Sequence, residues 1–248
     1  MSNRFNLLGQ IAITAAADFG LATLISTTAQ VTRGYDPSAG KTLAMVALIL
    51  VSHVFVNAFG IRHIRYTIYI AMVLNSVLIA ALGIAVLSGA KTHNSAQFVF
   101  AKFFDGTAAD GNTVGWSVRA SPAYVAICGT LFSQYTLLGF DASAHLCEET
   151  RQAVGVAPWC LLSAVGASFV CGFLLLLSLL FSIQDFDKVR TSPIPVLQIF
   201  TDSCGEAGGL VLITIVMLCV WHCGLFSMVS IPLSLHHQRA RTLLQPIL

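Results

Sequence analysis

The fold class this sequence predicts is an all-α membrane protein of about six transmembrane helices, and three observations predict it. Hydrophobic residues make up 56% of the 248 and charged residues only 10%, with a mean hydropathy of +0.80. A soluble domain carries roughly 25% charged residues, so too few are present here to clothe a water-facing surface. Six segments approach or reach the roughly 20 apolar helical residues that a bilayer core requires. The strongly polar residues inside those segments are few, and they fall at isolated points.

The first segment, residues 5–30, is the most polar and carries Asn6, Gln10 and Asp18. The second covers 42–59 and the third 66–87. The fourth spans 123–140 and continues as a polar helix to 150. The fifth, 158–181, has no charge, and Pro158 suits the first turn of a helix. The sixth runs over 209–231. Residues 88–122 and 183–207 read as long loops, and together the segments read as one polytopic domain over 1–248. There is no signal peptide pattern after Met1-Ser2-Asn3-Arg4. The short basic turn Gly60-Ile61-Arg62-His63-Ile64-Arg65 belongs in the cytoplasm. That orientation puts six of the 13 basic residues inside and seven outside, so charge counts alone do not decide it.

Small residues four apart allow close helix approach in lipid. Ala12, Ala16 and Gly20 form one such row, Ser168 and Gly172 another. The seven cysteines are no disulfide framework, because Cys128, Cys160, Cys171, Cys219 and Cys223 lie in apolar runs. Cys219, His222 and Cys223 share adjacent turns, but no fourth ligand accompanies them and the spacing is not a zinc pattern, so no metal is expected. A net charge of +2 without a basic block argues against nucleic acid as a partner.

Polar groups at membrane depth are costly unless they face a cavity or a partner. Asp18 reads either as a hydrogen-bonded acid inside the bundle or as part of a polar path through it. His53 and Asn57 are one turn apart and share a face; a helix-to-helix hydrogen bond explains them. Asn75-Ser76 reads as the same kind of link, and His222 is ambiguous. The strongest signal is the run Phe132-Ser133-Gln134-Tyr135-Thr136-Leu137-Leu138-Gly139-Phe140-Asp141-Ala142-Ser143-Ala144-His145, followed by Glu148-Glu149-Thr150. Asp141, His145 and Glu149 stand at four-residue steps on one helix face. Gly139 weakens the helix by about 1 kcal/mol relative to alanine and invites a break. A break at membrane depth is tolerated where the freed backbone meets a cavity or ligand. Composition alone favours a continuous helix with a polar end.

That run resembles the sixth-helix signature of the amino acid/choline transporter family. This family belongs to the amino acid–polyamine–organocation permease superfamily and includes plant bidirectional amino-acid transporters and fungal GABA permeases. Phe5-Asn6-Leu7-Leu8-Gly9-Gln10 with Asp18-Phe19 resembles the start of the family's third helix. Gln97-Phe98-Val99-Phe100 resembles the loop before its sixth helix, and Cys223-Gly224 with Ser227 its eighth. The resemblance covers roughly residues 4–230. It implies part of an inverted-repeat transporter fold, five helices plus five, in which discontinuous helices hold the substrate near the midplane. It implies substrate contacts at Gln134, Tyr135, Gly139, Phe140 and Asp141. It gives Asp18, His145 and Ser227 ion-coupling or structural polar roles, with H+ or Na+ as the coupling ion and no other cofactor. The family topology also puts Arg62 and Arg65 inside.

The segments correspond to helices three to eight of that pattern, and Ile231-Pro232-Leu233-Ser234-Leu235-His236-His237 departs from it. A truncated product or an incomplete gene model is therefore expected. The implied function is secondary transport of amino acids or related amines such as GABA, glutamate or basic amino acids, in the plasma membrane or an organelle. The alternatives are choline or polyamine transport, or a membrane fragment without transport of its own. An enzyme is not expected, since no Gly-x-Ser-x-Gly, His-Glu-x-x-His or phosphate-binding glycine motif occurs.

Overall fold

The computed structural model describes residues 2–60, 64–103, 105, 115–116, 120–136 and 153–244. Among them are eight helices and no strand. In chain order they are α1 (Ser2–Arg33), α2 (Ala39–Gly60), α3 (Ile64–Gly89), α4 (Ala96–Ala101), α5 (Pro122–Thr136), α6 (Ala153–Phe181), α7 (Phe186–Thr191) and α8 (Pro195–Leu244). Five are long and apolar enough to cross a membrane: Leu7–Arg33, Ala39–Phe59, Ile68–Gly89, Pro158–Phe181 and Pro195–Met228. The fourth expected span is represented in part by α5, and the rest of that expected segment, 137–150, lies outside the described residues.

The chain divides into two compact units. One comprises Met1–Leu78 and Val211–Leu248, the other Ile79–Leu210. In the first, α1 packs on α2. Leu21, Ala22 and Ile49 form its apolar centre, with Ile25, Met45, Val46, Met217, Val220 and Trp221 packed around them. Gly34 closes α1 in the left-handed region at φ 65°, where a residue without a Cβ is unstrained. Its N–H and that of Tyr35 donate to the carbonyls of Gln30 and Ala29, which satisfies two of the helix's last acceptors.

The second unit is tied by polar clips between its connections. Asn94 donates through its side chain to the carbonyls of Leu180 (3.1 Å) and Ile183 (2.8 Å), and through its backbone to that of Phe181. These carbonyls lie at or just beyond the C-terminal end of α6, where acceptors have no partner within the helix. Gln184 accepts from Thr92 N–H and hydroxyl and donates back to Thr92 O at 2.8 Å.

Four sequence expectations are corrected here. The loop read over 88–122 contains α4, started by Ser95, whose hydroxyl accepts from Phe98 N–H. Gln97–Phe100 is therefore helical. The loop read over 183–207 contains α7, capped by Asp185, and the first thirteen residues of α8. Pro158 sits inside α6 rather than in its first turn. The small-residue rows meet no partner among the described residues: Ala12, Ala16, Gly20 and Ser168 are exposed, and no described atom lies within 4 Å of a Cβ placed at Gly20 or Gly172. On α1 the polar face Gln10, Thr14 and Asp18 is the buried one.

Candidate polar site in the first unit

Gln10, Thr14 and Asp18 stand at four-residue steps on α1, so they form one stripe. All three are buried, Asp18 to 1% exposure. His53 of α2 is wholly buried, and its Nδ1 lies 3.3 Å from Asp18 Oδ1. The distance is that of an ion pair, but the atoms are not aligned for a hydrogen bond. Neither carboxylate oxygen nor either ring nitrogen has a hydrogen-bond partner among the described residues.

Helix α8 supplies the third wall. The indole of Trp221 lies 5.1 Å from the His53 ring, centroid to centroid, and its Nε1–H donates to Ser52 Oγ at 3.1 Å. Ser52 in turn donates to Ile49 O, so its hydroxyl both accepts and donates and the indole is fixed. Three residues on, Gly224 is buried. A methyl group there would overlap the Asp18 carboxylate and lie 2.8 Å from His53 Cε1. Glycine is required by this close approach, and its φ is ordinary. One turn further, Ser227 Oγ is 2.8 Å from Thr14 Oγ1. Thr14 donates its single hydroxyl proton to Gln10 O at 3.0 Å, so Ser227 is the donor between the two.

Of the residues expected to matter, Asp18 and Ser227 both belong to this unit, Asp18 on α1 beside Gly224 and Ser227 on α8 bonded to Thr14. Gln134 and Tyr135 fall in the last turns of α5, and nothing is described of their side chains. Gly139, Phe140, Asp141 and His145 lie outside the described residues. His53 meets Asp18 of α1, while Asn57 Oδ1 is buried without a partner among the described residues. Ser76 donates within its own helix to Met72 O, and Asn75 Oδ1 is unpartnered in the same sense. His222 Nδ1 lies 2.8 Å from Leu218 O, which places a proton on that nitrogen. No group of three or more His, Cys, Asp or Glu is placed to hold a metal among the described residues. Sequence reasoning passed over Thr14, Ser52 and Trp221. Thr14 carried a signal, standing between Gln10 and Asp18 on the same stripe.

A protein-family description, Amino acid permease, matches residues 4–236. The chain is 32% identical to the Amino-acid permease BAT1 homolog of Oryza sativa subsp. japonica, over 91% of this chain and 45% of that protein. It is 30% identical to the Amino-acid permease BAT1 of Arabidopsis thaliana, over 93% and 46%. It is 24% identical to the GABA-specific permease of Saccharomyces cerevisiae, over 86% and 37%. The chain thus spans a little under half the length of the plant relatives. No solved structure matches it.

Proposed function

The chain belongs to the amino acid permease family, and from that premise we propose that it takes part in secondary transport of amino acids or related amines by alternating access. The family match over residues 4–236 carries this reading. Membership and the apolar helices make it a multi-pass membrane protein. The first unit supports the reading physically: its polar side chains point inward while large apolar ones such as Leu48 and Phe59 face out. Inward polar groups in lipid belong to pathways and to partner-bound sites.

In this proposal the region around Gly139 and Phe140 opens the helix that begins as α5, and Gln134, Tyr135 and Asp141 flank the substrate there. The four-residue spacing of His145 from Asp141 assigns it to the same path in this proposal. Substrates are amino acids or related amines such as GABA, glutamate and basic amino acids, with choline and polyamines as the neighbouring class. No enzymatic chemistry belongs to this reading. The relatives are about twice as long, so the test uses this chain alone and this chain joined to a relative's flanking helices. Proteoliposomes are offered radiolabelled GABA, glutamate, arginine and choline. Saturable uptake above protein-free vesicles in either form is the expected outcome; none in both would overturn the proposal. Gly139→Leu should abolish uptake while sparing expression, since leucine restores helix propensity by about 1 kcal/mol at the break.

A further inference from the structure

We propose that Asp18 and His53 together form a binding site for one exchangeable proton inside the membrane, and that this proton is the coupling ion of the transporter. The coupling half rests on the transport reading above; the binding half does not.

Charge bookkeeping at the pair argues for a single proton. Both side chains are buried, at 1% and 0% exposure, with Nδ1 and Oδ1 3.3 Å apart. With one proton the pair is neutral overall, either as carboxylate beside imidazolium or as carboxylic acid beside neutral imidazole. With none it carries a net negative charge, and with two a net positive one. A net charge out of reach of water is strongly disfavoured. The two neutral forms interconvert by breaking the His53 Nδ1–H bond and forming an Asp18 O–H bond, with nothing else consumed. The proton comes from water on one side of the membrane and returns to water on the other.

The geometry separates this site from a purely structural pair. Buried polar groups in a settled network are nearly all hydrogen-bonded. Here all four polar atoms of the pair lack such a partner among the described residues. Among the described residues, the other titratable groups acting on the pair come from α8. His222 acts on His53 with its Nδ1 already committed to Leu218 O, and the Cys223 thiol feels Asp18. Neither supplies a fixed countercharge to the carboxylate.

The donor set also favours a proton over a sodium ion. Hard cations gather several oxygen ligands, whereas imidazole suits other chemistry. Asp18 faces a ring nitrogen, and the nearby hydroxyls of Thr14 and Ser227 are already bonded to each other. Gly224 brings the backbone of α8 against both groups, so any shift of that helix alters the solvation of the pair. Proton occupancy is thereby linked to helix position.

The purified 248-residue chain in lipid nanodiscs is titrated by infrared difference spectroscopy, following the carboxyl and imidazole bands. A step of one proton, lost in both Asp18→Asn and His53→Gln, is expected. The same titration in all three proteins would overturn the site. Should the variants misfold, the wild-type chain carrying 13C-aspartate and 15N-histidine is titrated in their place. One linked change in both labels supports the site, and independent changes overturn it. Proteoliposome uptake under an inward pH gradient, an inward Na+ gradient or neither then tests coupling. Stimulation by the pH gradient that His53→Gln removes is expected, and stimulation by Na+ alone overturns coupling. Absence of uptake under every gradient sinks the transport reading and coupling with it, while the titration still decides the site.

Discussion

A carboxylate and an imidazole with no hydrogen-bond partners among the described residues and no access to water depend on each other for charge. Removing one partner of such a buried pair usually costs about 3–5 kcal/mol, whereas replacing both by neutral groups costs far less. For Asp18 and His53 the expected outcome is therefore non-additive. Asp18→Asn and His53→Gln should each destabilise the protein, and the double variant should be more stable than the sum of the two predicts. Thermal unfolding in detergent measures it, and strictly additive losses would show that the two groups act independently. Asp18 was legible in the sequence because a lone acid within an apolar run demands a reason. Its partner was not. His53 lies 35 positions away, and helices that are apolar on nearly every side give no phase telling which face turns inward. For the same reason the row Ala12, Ala16, Gly20 misled: its spacing suits close packing, but the buried face of α1 belongs to Gln10, Thr14 and Asp18. Gly224 and Ser227 could be picked out only by resemblance, since a glycine and a serine in an apolar helix are unremarkable until the acid opposite them is known.

Element boundaries follow local chemistry where caps exist. Ser121 accepts from Tyr124 N–H and precedes Pro122 at the first helical position, as residues without a spare donor prefer. Asp185 does the same for α7 with the N–H groups of Asp187 and Lys188. Both short helices, α4 and α7, escaped the sequence reading because six residues are too few to show a period. The break in α8 escaped for another reason. Gly205 adopts φ 77° and ψ 172°, a region open essentially to glycine alone. Sequence shows the glycine but not the angle, and Gly208 and Gly209 beside it are indistinguishable by composition. Gly205→Ala should destabilise by about 1–3 kcal/mol through backbone strain, since nothing lies within 4 Å of the added Cβ. Gly172→Ala in α6 meets equally open space in ordinary helical backbone, and should be neutral or stabilising by up to about 1 kcal/mol. Comparing the two unfolding midpoints checks the assignment; equal effects would mean that α8 runs straight through Gly205.

At the scale of the molecule, polarity is arranged inside out relative to a protein in water. Leu43, Leu48, Phe59 and Trp159 are each about two-thirds exposed or more, while Gln10, Thr14, Asp18 and His53 are buried. Composition alone required this arrangement, because 10% charged residues leave most of the surface to be apolar. The surface of α2 allows a quantitative test. Leu48 sits near the middle of the span Ala39–Phe59 and is 70% exposed; Leu43, 68% exposed, lies near its start. A lysine at the centre of a spanning helix disfavours insertion by about 2.5–3.5 kcal/mol. Near the end its long side chain reaches the headgroups and the penalty largely disappears. Leu48→Lys should therefore lower the inserted fraction of α2 strongly in a translocation assay with glycosylation reporters, and Leu43→Lys only slightly. Equal insertion of the two variants would mean that Leu48 does not face lipid at mid-depth. A strong difference would fix the depth of α2, and with it the depth of His53, little more than a turn beyond Leu48. The buried pair would then lie close to the midplane, where moving a proton between the two sides requires the bundle to open.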